Sequence, residues 1–125
     1  MDNNKTNSIK ICFVCPKAYP LFNTQVKKVF GGAEVDLYTL AVELAKDESF
    51  NVSFITADYG QKKFEMIQGV NIIKSLDFKQ NSLTGALKVW KAMHQVNAQI
   101  YFQEAISPGT FLVALFCRLH KKKFV

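Results

Sequence analysis

Several features that are common in enzymes and nucleic-acid-binding proteins are scarce in this sequence. Arg118 is the only arginine, although the chain holds 16 Lys and Arg residues and has a formal net charge of +6. Arginine dominates specific recognition of bases and phosphates, so this composition disfavours a sequence-specific nucleic-acid-binding protein. A lysine-rich surface is more typical of a soluble protein, or of one weakly attracted to anionic membranes or substrates.

Cysteine is also scarce, with three residues in a chain of 125, which excludes a disulfide scaffold. Cys12 and Cys15 form a C-x-x-C motif, but their odd separation on a predicted strand places them on opposite faces. A metal would need a second ligand pair, and a redox motif would need to open a helix, whereas Pro16 follows here. We therefore expect buried structural thiols, with no bound metal and no other cofactor.

The familiar nucleotide-binding and catalytic motifs are missing as well. The sequence has no G-x-G-x-x-G, no G-x-x-x-x-G-K-[ST], and no D-x-D to hold a metal with a diphosphate. His94 falls inside a predicted helix without a sequence neighbour to work with, and His120 suits the negative end of a helix dipole. Dinucleotide binding of the usual kind is disfavoured, and no nucleophile set of the Ser/His/Asp or Cys/His type is indicated.

No apolar run is long enough to span a bilayer. Residues 1–8 are polar and lack the apolar core of a signal peptide, so they are predicted to form a flexible tail. Residues 9–125 are predicted to form one domain. The expected location is cytoplasmic, and the surplus of lysine would allow peripheral attachment at the inner membrane face.

The chain does contain an alternation of short apolar strands and amphipathic helices. Strands are predicted over residues 9–15, 51–56, 70–74, 99–103 and 124–125, and helices over residues 33–46, 83–96 and 108–120. Residues 16–30 are predicted to be a long irregular loop, and residues 58–68 a polar connection. This order predicts an α/β fold: a Rossmann-like parallel sheet with strand order 3-2-1-4-5 and helices on both faces.

Apolar periodicity predicts which side of each helix is buried. Asn81 and Ser82 are predicted to cap the second helix, and Ser107 with Pro108 to begin the third. The third helix is apolar nearly all round. The residues predicted to be buried in the first two helices are Leu37, Leu40, Ala41, Leu44 and Ala45, then Leu83, Ala86, Leu87, Trp90 and Met93.

Gly31 and Gly32 lie where the loop after the first strand enters the first helix. Neither carries a Cβ, so backbone can come close to a ligand there, and the first-turn N–H groups form the positive end of the helix dipole. This arrangement predicts a phosphate cradle. The alternative interpretation, that the glycines only turn the chain, stays open from these residues alone.

In an open α/β sheet, ligands bind beyond the carboxyl ends of the strands, where the winding reverses. For the order 3-2-1-4-5 the reversal lies between the first and fourth strands. The first loop, the glycine pair and residues 104–107 would converge there. Glu104 directly follows the fourth strand and could bond a ligand hydroxyl, with a solvated loop carboxylate as the alternative.

These residues resemble a known family. Residues 9–15, Pro20, the run Gly31-Gly32-Ala33-Glu34, and residues 40–45 and 52–56 resemble the opening of family 4 (group 1) glycosyltransferases of the GT-B fold. Residues 100–104, Gly109 and residues 116–119 are similar to the same domain in bacterial members. The resemblance covers nearly the whole chain after residue 8.

The resemblance implies a two-domain enzyme whose N-terminal domain mainly holds the acceptor and whose C-terminal domain mainly holds the nucleotide-sugar donor. Members transfer a sugar to a glycan, a lipid or a small molecule, usually with retention of configuration and without a metal. It further implies that Gly31 and Gly32 approach the donor diphosphate. The residues that it implies for the acceptor cleft are Glu104, Ser107, Lys17 and Asn23.

The sequence also departs from the family. The paired glutamates and the C-terminal donor domain are missing, so we expect part of a longer protein or a truncated copy, inactive by itself. The rival hypothesis is a non-catalytic α/β module that binds an anion or a partner through the glycine pair. A strand edge beside the apolar third helix predicts self-association through the region from Phe111 to Val125.

Overall fold

A computed structural model describes residues 8–26, 31–103 and 108–125. The predicted flexible tail lies outside these ranges except for Ser8. The strands are β1 (Ile9–Val14), β2 (Phe50–Thr56), β3 (Phe64–Ile67), β4 (Val70–Lys74), β5 (Ile100–Phe102) and β6 (Lys123–Phe124). The helices are α1 (Tyr19–Phe22), α2 (Gly32–Ala45), α3 (Ser82–Val96) and α4 (Pro108–Leu119), and a 3-10 turn covers Pro16–Ala18.

The strands form one sheet in the order β3-β4-β2-β1-β5-β6. All pairs are parallel except β3 with β4, which is antiparallel. The apolar strands β1 and β2 lie in the middle, where helices cover both faces, as continuous hydrophobic runs predict. The α/β class and the largely parallel sheet are confirmed.

The five predicted strands lie in the predicted relative order, but the strand order of the sheet differs from the prediction because a sixth strand, β3, lies at one edge. The sequence predicts only a polar connection over residues 58–68. β3 is short and mixes an acidic residue with apolar ones, so its hydrophobic pattern is weak. It forms a two-residue hairpin with β4 at Gln68 and Gly69, whose φ angles of 54° and 80° suit a tight turn between twisted strands.

The loop predicted over residues 16–30 is also more ordered than expected in its first part. The 3-10 turn and α1 fold back onto the sheet because aromatic side chains gain partners there. The Phe22 ring packs edge-on against Tyr38 of α2 and Phe54 of β2, with ring centroids 4.8 and 5.0 Å apart. Residues 27–30 lie outside the described ranges.

One face of the sheet is covered by α1 and α2, and this part is called here the α2 layer. Its core includes Phe13, Phe54, Leu37 and Ala41, all buried. The helix bounds agree with the prediction within one residue. Leu40, however, is exposed, because the buried stripe of α2 is narrower than its apolar sequence suggests.

The opposite face is covered by α3 and α4, called here the α3/α4 layer. Asn81 caps α3 as predicted, its side chain accepting the Thr84 N–H at 2.8 Å. The predicted buried stripe is wrong, because Leu83 and Leu87 are exposed. Met93 is buried as predicted, and the other buried residues are Gly85, Val89 and Ala92.

Gly85 explains why α3 is rotated about its axis, so that a different side of the helix is buried than predicted. A Cβ on Gly85 would lie 3.4 Å from the Cβ of Leu76, so α3 approaches its neighbour through its small residues. Close backbone approach of this kind leaves the leucines on the outside. In α4, Val113, Phe116 and Cys117 are buried and Phe111 and Leu115 are exposed, so that helix is not buried all round.

Cys12 and Cys15 are both buried, and they belong to opposite core clusters on the two faces. This confirms the prediction from their odd spacing.

Tyr101 stabilises the end of α3 in the α3/α4 layer: its hydroxyl accepts the Ala98 N–H at 2.9 Å and donates to the Met93 carbonyl at 2.8 Å. None of the helices within the described ranges is long and apolar enough to cross a membrane.

Candidate functional site

The parallel strands β1, β2, β4 and β5 end at the same edge of the sheet, and the segments that follow them form the candidate site. The winding reverses between β1 and β5, because β1 has the earlier strand β2 on one side and β5 on the other. Ligands of open α/β sheets bind at such a reversal. The Pro16–Ala18 turn and the start of α2 follow β1 at this edge.

Gly31 and Gly32 form the mouth of α2. Gly31 is the N-cap residue, with φ −115° and ψ −173°, which is extended backbone that any residue can adopt. A Cβ on Gly32 would have no described heavy atom within 4 Å. A Cβ on Gly31 would lie 3.0 Å from the Glu34 Oε1, at the end of a flexible side chain, so the Glu34 cap restricts a larger residue there. Neither the backbone conformation of Gly31 nor packing of the described residues around Gly32 requires glycine, and the missing side chains leave room at the helix mouth.

Glu34 already occupies part of this mouth. Its Oε1 accepts the Gly31 N–H at 2.5 Å, which is one half of a capping box. A carboxylate in this position also stabilises the positive end of the helix dipole. The N–H groups of Gly32 and Ala33 have no partner within the helix, because first-turn donors lack an acceptor one turn earlier. An incoming anion would find these two donors and would compete with the Glu34 carboxylate.

The two candidates on the first loop differ in their surroundings. Lys17 lies in the 3-10 turn and its side chain is exposed. Asn23 is half-buried and its polar atoms are engaged: its amide donates to the Tyr19 hydroxyl at 3.3 Å, and its Oδ1 accepts the Gln25 N–H at 3.1 Å. The Lys17 side chain is thus exposed to solvent, whereas Asn23 forms its hydrogen bonds within its own segment. The other two candidates, Glu104 and Ser107, lie outside the described residues.

Tyr59 is a residue of this edge that the sequence reasoning missed. It follows β2, stacks on Tyr19 with centroids 5.7 Å apart, and meets Phe78 edge-on at 6.3 Å. Burial raises the pKa of Tyr59, and the nearby Cys15 and Glu34 raise it further because two adjacent negative charges repel. Its hydroxyl is thus a neutral donor beside the helix mouth. A tyrosine three residues after the end of β2 was the available signal.

The cysteines offer no reactive thiol. Burial raises the pKa of Cys12 well above its usual value, and the neighbouring Cys117 raises it further. Burial likewise raises the pKa of Cys117 to about 11. A thiol that stays protonated is a poor nucleophile and metal ligand. No cluster of three or more candidate metal ligands occurs within the part of the chain that the structure covers.

Two further features lie away from this edge. His94 and His120 are far apart in sequence, yet their rings contact each other with centroids 5.6 Å apart, and the His120 Nδ1 lies 3.0 Å from the Phe116 carbonyl. An open groove of about 610 Å³ lies between the β3–β4 hairpin and the end of α3. Its lining residues include Phe64, Met66, Asn71, Ile73 and Val96.

The groove is lined mainly by apolar residues, with Glu65 as the one ionisable lining residue, and the histidine pair is packed beside the rings of Trp90 and Phe116. The carboxyl edge, in contrast, combines open helix-mouth donors, an exposed lysine and a neutral tyrosine hydroxyl. Comparison of the sequence with models of known protein families gave no match, and a search of curated proteins gave none either.

Proposed function

We propose that this chain is the acceptor-side portion of a GT-B glycosyltransferase, which moves a sugar from a nucleotide-sugar donor to a glycan, lipid or small-molecule acceptor. The observation that carries the proposal is the glycine pair. Gly31 and Gly32 follow the central strand β1 and open α2 at the edge where such sheets bind ligands. The sequence resemblance to family 4 enzymes supplies the reaction class.

In this proposal the helix mouth stabilises the donor diphosphate. The N–H groups of Gly32 and Ala33, which have no partner within the helix, donate to phosphate oxygens, which can approach closely because Gly31 and Gly32 carry no Cβ. Lys17 adds positive charge from the neighbouring turn. Glu34 gives up the Gly31 N–H when the diphosphate arrives, so that a third donor becomes available. Each of these groups would stabilise negative charge that develops on the leaving nucleotide diphosphate.

The acceptor lies at the same carboxyl edge, where the resemblance assigns it Glu104 and Ser107 after β5. Transfer proceeds with retention of configuration and without a metal, as in the family that the sequence resembles. The donor-binding wall belongs to a second domain of a longer protein. The 125-residue chain by itself is therefore expected to transfer no sugar.

The test is Gly32→Val in the full-length gene product. A valine at the helix mouth places a branched side chain where the diphosphate would lie, so kcat/KM for the donor should fall at least tenfold. Thr39→Val is the matched control, because it adds a methyl in place of a hydroxyl on the exposed side of the same helix. Unchanged KM and kcat in the glycine variant would show that the pair has no part in donor binding.

A non-catalytic anion-binding module is the second candidate, and the Glu34 cap favours it. The Glu34 carboxylate accepts the Gly31 N–H, so the fold does not depend on a ligand there, while the Gly32 and Ala33 N–H groups have no partner within the helix. In that case the full-length product would bind inorganic phosphate or uridine diphosphate, detected as amide shifts of Gly32 and Ala33. It would turn over no nucleotide sugar with any acceptor, whereas the first candidate requires turnover.

A further inference from the structure

The net positive charge of this chain comes from its second part. Residues 78–125 contain seven Lys and Arg residues and a single acidic residue, Glu104, whereas residues 1–77 contain nine basic and nine acidic residues. The whole net charge of +6 therefore belongs to the segment that forms α3, β5, α4 and β6. Such a one-sided distribution produces a directional field rather than a general increase in solubility.

The same segment exposes large apolar side chains. Leu83 and Leu87 on α3 are 72% and 63% exposed, and Phe111 and Leu119 on α4 are 74% and 63% exposed. Leu115 lies between the two α4 residues and is also exposed. Residues four apart lie above one another on a helix, so each helix carries an apolar stripe along one side.

The two stripes face in the same direction. Both helices bury their opposite sides in one core cluster on the same face of the sheet. They also pack against each other, because Trp90 of α3 meets the rings of Phe116 and His120 at 5.0 and 5.9 Å. Each stripe lies opposite the buried side of its helix, so both point away from the sheet. Together they form the outer α3/α4 surface, which consists of Leu83, Leu87, Phe111, Leu115 and Leu119.

Basic residues surround this surface. Lys91 lies one turn after Leu87, Arg118 lies next to Leu119, and Lys121 and Lys123 follow the end of α4; all four are exposed. Lys122 is held in place by donating to the Asn97 Oδ1 at 2.8 Å. Apolar residues in the centre with lysines around them are typical of proteins that lie on a bilayer surface.

We propose that the outer α3/α4 surface docks on an anionic lipid bilayer. The leucine and phenylalanine side chains enter the boundary between headgroups and acyl chains, and the basic residues lie over the acidic headgroups. This proposal does not rest on the sugar-transfer reaction, since the binding that it describes requires neither a donor nor an acceptor.

The charge distribution favours an anionic bilayer over a second copy of the chain or a nucleic acid as the partner of this surface. Two copies meeting through this surface would place like charges together, which disfavours a dimer. A nucleic-acid ligand would leave the exposed leucines in water, and the segment has only one arginine for phosphate contacts. The α2 segment has the opposite sign: residues 31–50 contain five acidic residues and one lysine. Repulsion of that layer by an anionic surface would fix which side of the protein faces the bilayer.

The test is co-sedimentation of the full chain with vesicles. We expect binding to vesicles that contain phosphatidylglycerol, little binding to pure phosphatidylcholine, and weaker binding at higher salt. Lys91→Gln should lower the affinity about fivefold, the effect of one lysine near an anionic surface. Leu87→Gln should lower it by a similar factor. The matched controls on the α2 layer, Lys46→Gln and Val35→Gln, should leave it unchanged.

All four substitutions are at exposed positions, and thermal melting will verify that each variant folds. Three results would overturn the proposal: no binding to anionic vesicles, equal effects of the α3 and α2 substitutions, or tighter binding to an RNA oligonucleotide than to the vesicles. A concentration-dependent dimer in sedimentation velocity, weakened by Leu87→Gln, would assign the surface to a second copy instead.

Discussion

The two helical layers cover the same sheet but present different surfaces. Each layer buries an aromatic core against the strands, with Phe13 and Phe54 on the α2 side and Tyr101 and Phe116 on the α3/α4 side. Outside, α2 is acidic and carries the open glycine mouth, whereas α3 and α4 are basic and carry exposed leucines. The difference shows that the core fixes the fold, while the outer residues of each helix are free to serve separate tasks.

The largest expected effect on stability tests whether the aromatic cores of the two layers contribute equally to the free energy of unfolding. Phe54→Ala and Phe116→Ala each remove a ring that is at most 1% exposed, so each should lower the free energy of unfolding by about 3–5 kcal/mol. Urea denaturation followed by circular dichroism measures this. Leu87→Ala, at an exposed site, should change it by less than about 0.5 kcal/mol. A small loss of unfolding free energy for only one of the two variants would show that the two cores do not contribute equally to stability.

The next effect concerns the buried hydroxyl of the α3/α4 layer. Tyr101→Phe leaves the buried Ala98 N–H without its acceptor, which should cost about 1–3 kcal/mol, whereas the Met93 carbonyl keeps the Asn97 N–H as a donor at 3.0 Å. The matched control in the α2 layer is Tyr38→Phe, which loses a bond to Gln68 at an exposed position. That change should cost about 0.5 kcal/mol, because water replaces the lost partner. Equal losses in urea denaturation would contradict this ordering.

Alkaline pH should act mainly through the α3/α4 layer. The pKa values of Cys12, Tyr101 and Cys117 are all raised by burial, so the unfolded chain ionises before the folded one. The folded state then binds more protons, and stability falls as pH rises above the unfolded values near 9 to 10. Cys117→Ala should flatten the fall between pH 9 and about 11. An unchanged pH profile of the unfolding midpoint would show that burial of this thiol is not responsible.

The smallest expected effects on stability compare the N-terminal caps of α3 and α2. Asn81→Ala removes the cap of α3 and should cost about 1 kcal/mol. Glu34→Gln keeps a side chain that can accept the Gly31 N–H and removes only the charge, so the loss should be about 0.3–1 kcal/mol. Removal of that charge should also strengthen phosphate binding at the mouth of α2. Weaker phosphate binding in the Glu34 variant would contradict the idea that the carboxylate competes with an anion.

Part of the candidate site could be predicted from the sequence, and part could not. The glycine pair was placed correctly at the helix mouth because it directly precedes a strongly helical run. Tyr59 was missed because its contact with Tyr19 joins residues 40 apart in the chain, and the effect of Glu34 on the Tyr59 pKa depends on how α2 lies against the sheet. Roles that depend on contacts across the fold leave no local pattern.

The sequence by itself determined the alternation of strands and helices, the opposite faces of Cys12 and Cys15, and the Asn81 cap, because each depends on neighbouring residues and local periodicity. Only the tertiary structure decided three other features: the edge strand β3, the ordered α1, and the rotation of α3. Hairpin pairing, aromatic contacts of Phe22 and the close approach of Gly85 to Leu76 produce them. Local apolar periodicity selects the leucines for burial, whereas close packing selects the residues small enough to fit.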